Sequence, residues 1–140
     1  MTKKPERAQS DHDEAVRLIG RQDFDLDGLD VYINVGEQRT YGLSGSWPDI
    51  VVIRDRVIWN DEVKWIAEVE TADSVTEAET EKWRAYAGLR IPFVLYVPST
   101  RCEVVKKLCA KHRIGLADLR SYTIAQGTLT TESCLNRSAT

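Results

Sequence analysis

A chain of 140 residues with 42% hydrophobic and 29% charged side chains has the size and composition of one soluble globular domain. Its 19 basic and 22 acidic side chains leave a net charge of −3 and a pI near 5.4, which excludes a protein-wide basic field. Contact with nucleic acid therefore has to be a local patch. Cys102, Cys109 and Cys134 are odd in number and form no Cys-x-x-Cys pair, so they read as reduced thiols of a cytoplasmic protein. The stretch from Met1 to Asp13 is polar and charged and no long apolar run follows, so no signal peptide and no membrane partner are expected.

In chain order, a first helix is expected from Ser10, with Asp13 three residues on as a capping box and Ala15, Leu18 and Ile19 on one face. Glu14 lies beside that face. The turn-rich stretch Asp23 to Gly28 leads to a strand from Leu29 to Val35, where Val31, Ile33 and Val35 alternate with Tyr32 and Asn34. The Gly- and Ser-rich loop from Gly36 to Trp47 reads as mobile and exposed. Pro48 to Ile53 and Trp65 to Glu70 are short, β-branched and apolar, with turn residues Asp55-Arg56 and Asn60-Asp61 between them, and read as two strands.

Ser74-Val75-Thr76-Glu77 is a second capping box, for a helix to about Gly88 with Val75, Ala78, Lys82, Ala85, Tyr86 and Leu89 on one face. Phe93 to Val97 reads as a fully buried strand closed by Pro98. Thr100 to Glu103 opens a helix to Arg113 whose apolar stripe is Val104, Val105, Leu108, Cys109 and His112. Its other face, Lys106, Lys107, Lys111 and Arg113, reads as solvated surface. A short strand from Gly115 to Ile124 and a polar tail over 126–140 complete the chain. These elements predict one α/β domain over 1–125, with a mixed β-sheet flanked by helices.

Side chains alternate across a strand, so Glu68 and Glu70 share a face. If Asp49 opens a neighbouring strand on that face, three carboxylates converge, the oxygen-rich set that Mg²⁺ or Mn²⁺ takes. The plainer alternative is a half-exposed strand with outward acidic positions. His12 and His112 are too few and too separated for an imidazole metal site. Trp59, Trp65 and Trp83 read as packing residues; Trp47, beside Asp49, reads first as core packing and second as a candidate to stack on a base.

The order helix, three strands, helix, strand, with Pro48-Asp49 on one strand and Glu68-Val69-Glu70 on the next, resembles the PD-(D/E)XK nuclease superfamily, the restriction-endonuclease-like fold with its αβββαβ core. The resemblance spans roughly Asp11 to Val97. Within it, Ser44 to Val52 looks most like small archaeal Holliday junction resolvases. The resemblance implies a metal-dependent endonuclease that hydrolyses phosphodiester bonds in nucleic acid, DNA first, with Mg²⁺ or Mn²⁺ as cofactor and a homodimer for duplex substrates. It assigns the metal to Asp49, Glu68, the Val69 carbonyl and Glu14, which matches an extra glutamate on the first helix. The family's water-orienting lysine falls at Glu70, a departure from the pattern. Either Glu70 does that work or Lys82 supplies it from the following helix; the plainer alternative for Lys82 is that it snorkels past the stripe and pairs with Glu79 or Glu81. The run Lys82 to Tyr86 is similar to a Gln-x-x-x-Tyr motif for contacting DNA, without its Gln, so Tyr86 joins Arg39, Tyr41 and Trp47 as expected nucleic-acid contacts. The missing lysine keeps a second reading open, a catalytically degenerate nuclease-fold module that binds nucleic acid or a partner protein.

Overall fold

Helix α1 (Glu6–Asp23) opens the computed structural model, which describes residues 6–36, 39–54 and 62–135. The turn expected around Asp55-Arg56 and Asn60-Asp61, and Trp59 with it, lie outside the described residues. The chain divides into two compact units, 1–69 and 70–140.

In the first unit, α1 begins earlier than Ser10, which lies inside the helix and does not cap it. Ala15, Val16 and Ile19 are buried, and Leu18 is half-buried. The helix lies against the strands β1 (Leu29–Ile33) and β3 (Glu62–Val69). Between these two in the sheet runs β2 (Ile50–Arg54), antiparallel to both. Ile50 to Ile53, a β-branched run, are all buried, as is the second half of β3 from Ile66 to Val69, so consecutive residues of both strands are covered on both faces of the sheet. β1 stops at Ile33, two residues short of expectation, because Asn34 turns its amide to the loop that follows.

In the second unit, Ser74 does not cap a long helix. Residues Ala72–Ser74 and Glu77–Glu79 form two 3₁₀ turns, and α2 covers only Thr80–Ala87. Its buried residues are Thr80, Trp83 and Tyr86, while Ala78 and Ala85 are exposed, which overturns the stripe expected through Lys82. β4 (Phe93–Pro98) is buried from Phe93 to Val97 as expected. It pairs in parallel with β5 (Asp118–Ala125) through the crossover helix α3 (Cys102–His112). On α3 only Val105 and Cys109 are buried; Val104 is 40% exposed, and His112 bonds Glu77 at 2.7 Å. The basic face is in part ion-paired, Lys106 to Glu103 and Lys111 to Glu77.

Two further expectations fail here. The segment read as a polar tail carries a strand, β6 (Thr128–Ser133), antiparallel to β5 across a tight turn in which Gln126 and Gly127 both have positive φ. Cys102 and Cys134 are joined as a disulfide, so they are not reduced thiols, and Cys109 remains as a buried free cysteine. The fold is α/β, with parallel and antiparallel strand pairs. Among the described residues, no helix is long and apolar enough to cross a membrane.

Candidate functional site

The antiparallel register carries the acidic pair. Ile50 pairs with Ala67, so one step outward Asp49 stands opposite Glu68, and opposed residues present their side chains on the same face. Each carboxylate is then bonded to the other strand's backbone. Asp49 N–H donates to Glu68 Oε2 at 2.8 Å, and Val69 N–H donates to Asp49 Oδ2 at 2.8 Å. Both acids are nearly closed to water, Asp49 at 9% and Glu68 at 4% exposure. Two charged groups of like sign held together at that depth are costly unless something compensates them.

A neighbouring side chain comes from α1, a histidine whose wide separation from His112 gives no sign of this contact. His12 Nε2 lies 3.2 Å from Asp49 Oδ2, and its Nδ1 lies 3.1 Å from Asp13 Oδ1. Gln9 donates to the same Asp13 oxygen at 2.9 Å. A signal was present: His12, Val16 and Ile19 fall at i, i+4 and i+7, which places His12 on the buried stripe. Glu14, two residues on, projects from another side of the helix and is exposed.

The loop before Asp49 is mostly exposed, as expected, but it is firmly tied. The buried amide of Asn34 donates to the carbonyls of Tyr41 (2.8 Å) and Pro48 (2.7 Å), and its oxygen accepts from the N–H groups of Thr40 and Tyr41. Leu43 and Ser46 close a two-residue turn at Ser44-Gly45, both with positive φ. Trp47 is 39% exposed, with the Arg39 guanidinium 5.6 Å from its ring centre and Gly42 packed so close that a Cβ there would sit 2.9 Å from the ring. Tyr41 packs on Tyr32 at 5.2 Å.

In the second unit, Glu70 and Lys82 meet. Glu70 is 2% exposed, and its carboxylate accepts from the Ser74 hydroxyl (2.5 Å) and the Trp83 indole N–H (2.8 Å), with Lys82 Nζ at 3.4 Å. Lys82 also pairs with Glu79 at 2.8 Å. Burial pushes the Glu70 carboxyl above its ordinary range, opposed in part by Lys82, Ser74 and Trp83. Tyr86, expected at nucleic acid, is 6% exposed and packs on Phe93 at 5.6 Å.

Among the described residues, no group of three or more His, Cys, Asp or Glu side chains is arranged to hold a metal ion. What the first unit offers is two hard carboxylates on opposed strand positions, a donor set that suits Mg²⁺ if a main-chain carbonyl and waters complete the shell. Comparison with protein-family models, curated proteins and solved structures finds no match for this chain.

Proposed function

We propose that the chain is a metal-dependent endonuclease of the PD-(D/E)XK type, with a restriction-endonuclease-like topology, acting on phosphodiester bonds of nucleic acid and of DNA first. The observation that supports it is the reciprocal clamp, in which Asp49 and Glu68 are opposed across β2 and β3 and each is bonded to the other's strand. In this reading Asp49, Glu68 and the Val69 carbonyl hold Mg²⁺ or Mn²⁺. A bound divalent ion lowers the pKa of a coordinated water and neutralises charge on a phosphate. Arg39 and Trp47, on the tied loop that leads into Asp49, contact the nucleic acid. The same reading places the protein with its nucleic-acid substrate in the cytoplasm, and the Cys102–Cys134 disulfide counts against that placement, because a reducing compartment keeps such pairs as thiols.

One observation favours the second reading, a catalytically degenerate module that binds nucleic acid or a partner protein. Glu70 stands where the family's lysine falls, and its carboxylate is already engaged by Ser74, Trp83 and Lys82. The test is cleavage of branched, single-stranded and duplex DNA and RNA with Mg²⁺ or Mn²⁺. Activity should fall by about 10²- to 10⁴-fold in Asp49→Asn and Glu68→Gln. Wild type that binds the panel and cuts none of it would establish the degenerate module instead.

A further inference from the structure

Helix α1 carries a chain of polar contacts that ends on the candidate metal ligand. Gln9 and Asp13 are one helical turn apart, so Gln9 fixes the Asp13 carboxylate from within the helix, at 2.9 Å. Asp13 holds one ring nitrogen of His12 at 3.1 Å, and the other nitrogen reaches Asp49 Oδ2 at 3.2 Å. The His12 side chain is only 13% exposed, so water competes poorly for either contact. Oδ2 of Asp49 also accepts the Val69 N–H, which leaves Oδ1 as the oxygen outside these bonds.

Resting on the metal-site reading above, we infer that His12 is a positioning residue. Through Asp13 and Gln9 it locks the Asp49 carboxylate in one orientation and commits Oδ2 to the protein, which keeps Oδ1 for the cation. Carboxylate ligands held by hydrogen bonds in this way bind metal more tightly, because the ligand does not have to be ordered when the ion arrives. A purely structural role, tying α1 to the sheet, would affect stability and leave cation affinity alone.

The experiment is calorimetric titration of the metal-free protein with Mn²⁺ alone, with Mn²⁺ paramagnetic resonance as a second readout. It covers wild type, Asp49→Ala, His12→Ala, His12→Gln and Asp13→Asn. His12→Ala should weaken Mn²⁺ binding by about 10- to 100-fold. His12→Gln, whose amide can still donate to Asp49, should recover part of that loss, and Asp13→Asn should fall between it and wild type. Wild-type affinity in His12→Ala would show a packing role, and tighter binding would show that His12 competes with the ion; either overturns the inference. If His12→Ala does not fold, unchanged affinity in both His12→Gln and Asp13→Asn overturns it as well. Wild type without Mn²⁺ binding that Asp49→Ala abolishes would instead remove the cation site itself, and the proposed function with it.

Discussion

Glu68 and Glu70 stand two residues apart and both are nearly closed to water, yet their partners differ in kind. Glu68 accepts a backbone N–H from the opposing strand, whereas Glu70 gathers a hydroxyl, an indole and an ammonium from the segment that follows it. The Glu70 backbone is held as well, its N–H by the Tyr96 carbonyl and its carbonyl by the Tyr122 hydroxyl. Burial is the largest influence on this carboxyl and raises its pKa above the ordinary 4.5. The folded protein therefore holds the Glu70 proton over a range of pH in which the unfolded chain has released it. The contribution is most favourable below about 4.5, and it is lost as pH rises through the folded value. Urea denaturation of the metal-free protein at a series of pH values should show this decline in wild type and a flatter profile in Glu70→Gln. Identical slopes in the two proteins would mean that burial of this carboxyl does not govern the pH dependence. Lys82 keeps Glu79 as a partner in the variant, so the comparison does not strand a cation.

At the scale of elements, the disulfide joins the first residue of α3 to the residue just after β6, across a sequence separation of 32. A cross-link closing a loop of that length stabilises the folded state by roughly 3.7 kcal/mol, chiefly by restricting the unfolded chain. Cys102→Ser or Cys134→Ser should lower stability by that order in oxidising buffer, and reductant should do the same to wild type alone. Thiol titration of unreduced, denatured protein should count the Cys109 thiol only; three thiols per chain would disprove the link. The sequence reading missed this pair because an odd cysteine count says nothing about which two approach. β6 was missed because Thr128 to Ser133 alternates with only Leu129 as an apolar residue, and a threonine-rich strand looks like a polar tail. The strands β2 and β4 were legible because uninterrupted β-branched and aromatic runs of that length fit little else. The facing of Asp49 and Glu68 was only a condition in the sequence, since strand phase places Glu68 on a face but the antiparallel register that sets Asp49 opposite it comes from the fold. The capping signals were weaker guides. Ser10 lies within α1, and the Ser74 hydroxyl serves Glu70 and the Thr71 N–H in place of a helix end. Both partners of Ser74 lie within four residues of it, so the signal that reads as a helix cap also fits local bonds that compete with one.

For the whole molecule, the small net charge of −3 means that a divalent cation has no strong global field to neutralise, so a specific site must account for any large response to it. An ion that binds only the folded chain stabilises it by about 2.7 kcal/mol at a hundredfold excess over its dissociation constant, which amounts to several degrees in Tm for a protein of this size. The candidate ligands Asp49 and Glu68 lie in the unit 1–69, and the disulfide lies in the unit 70–140. Metal and reductant therefore act on different parts of the chain, and their free-energy effects should add. Scanning calorimetry in metal-free buffer, with Mg²⁺ or Mn²⁺, and with or without reductant, measures both in one series at matched ionic strength. If the two units melt as separate steps, metal should raise the step of the first and reductant should lower that of the second; a single step should move by the sum. Asp49→Ala and Glu68→Ala should lose the metal shift and keep the response to reductant. A metal shift that survives both substitutions would place the cation elsewhere. No shift at all in wild type would leave the Asp49–Glu68 clamp as a structural cross-strand pair.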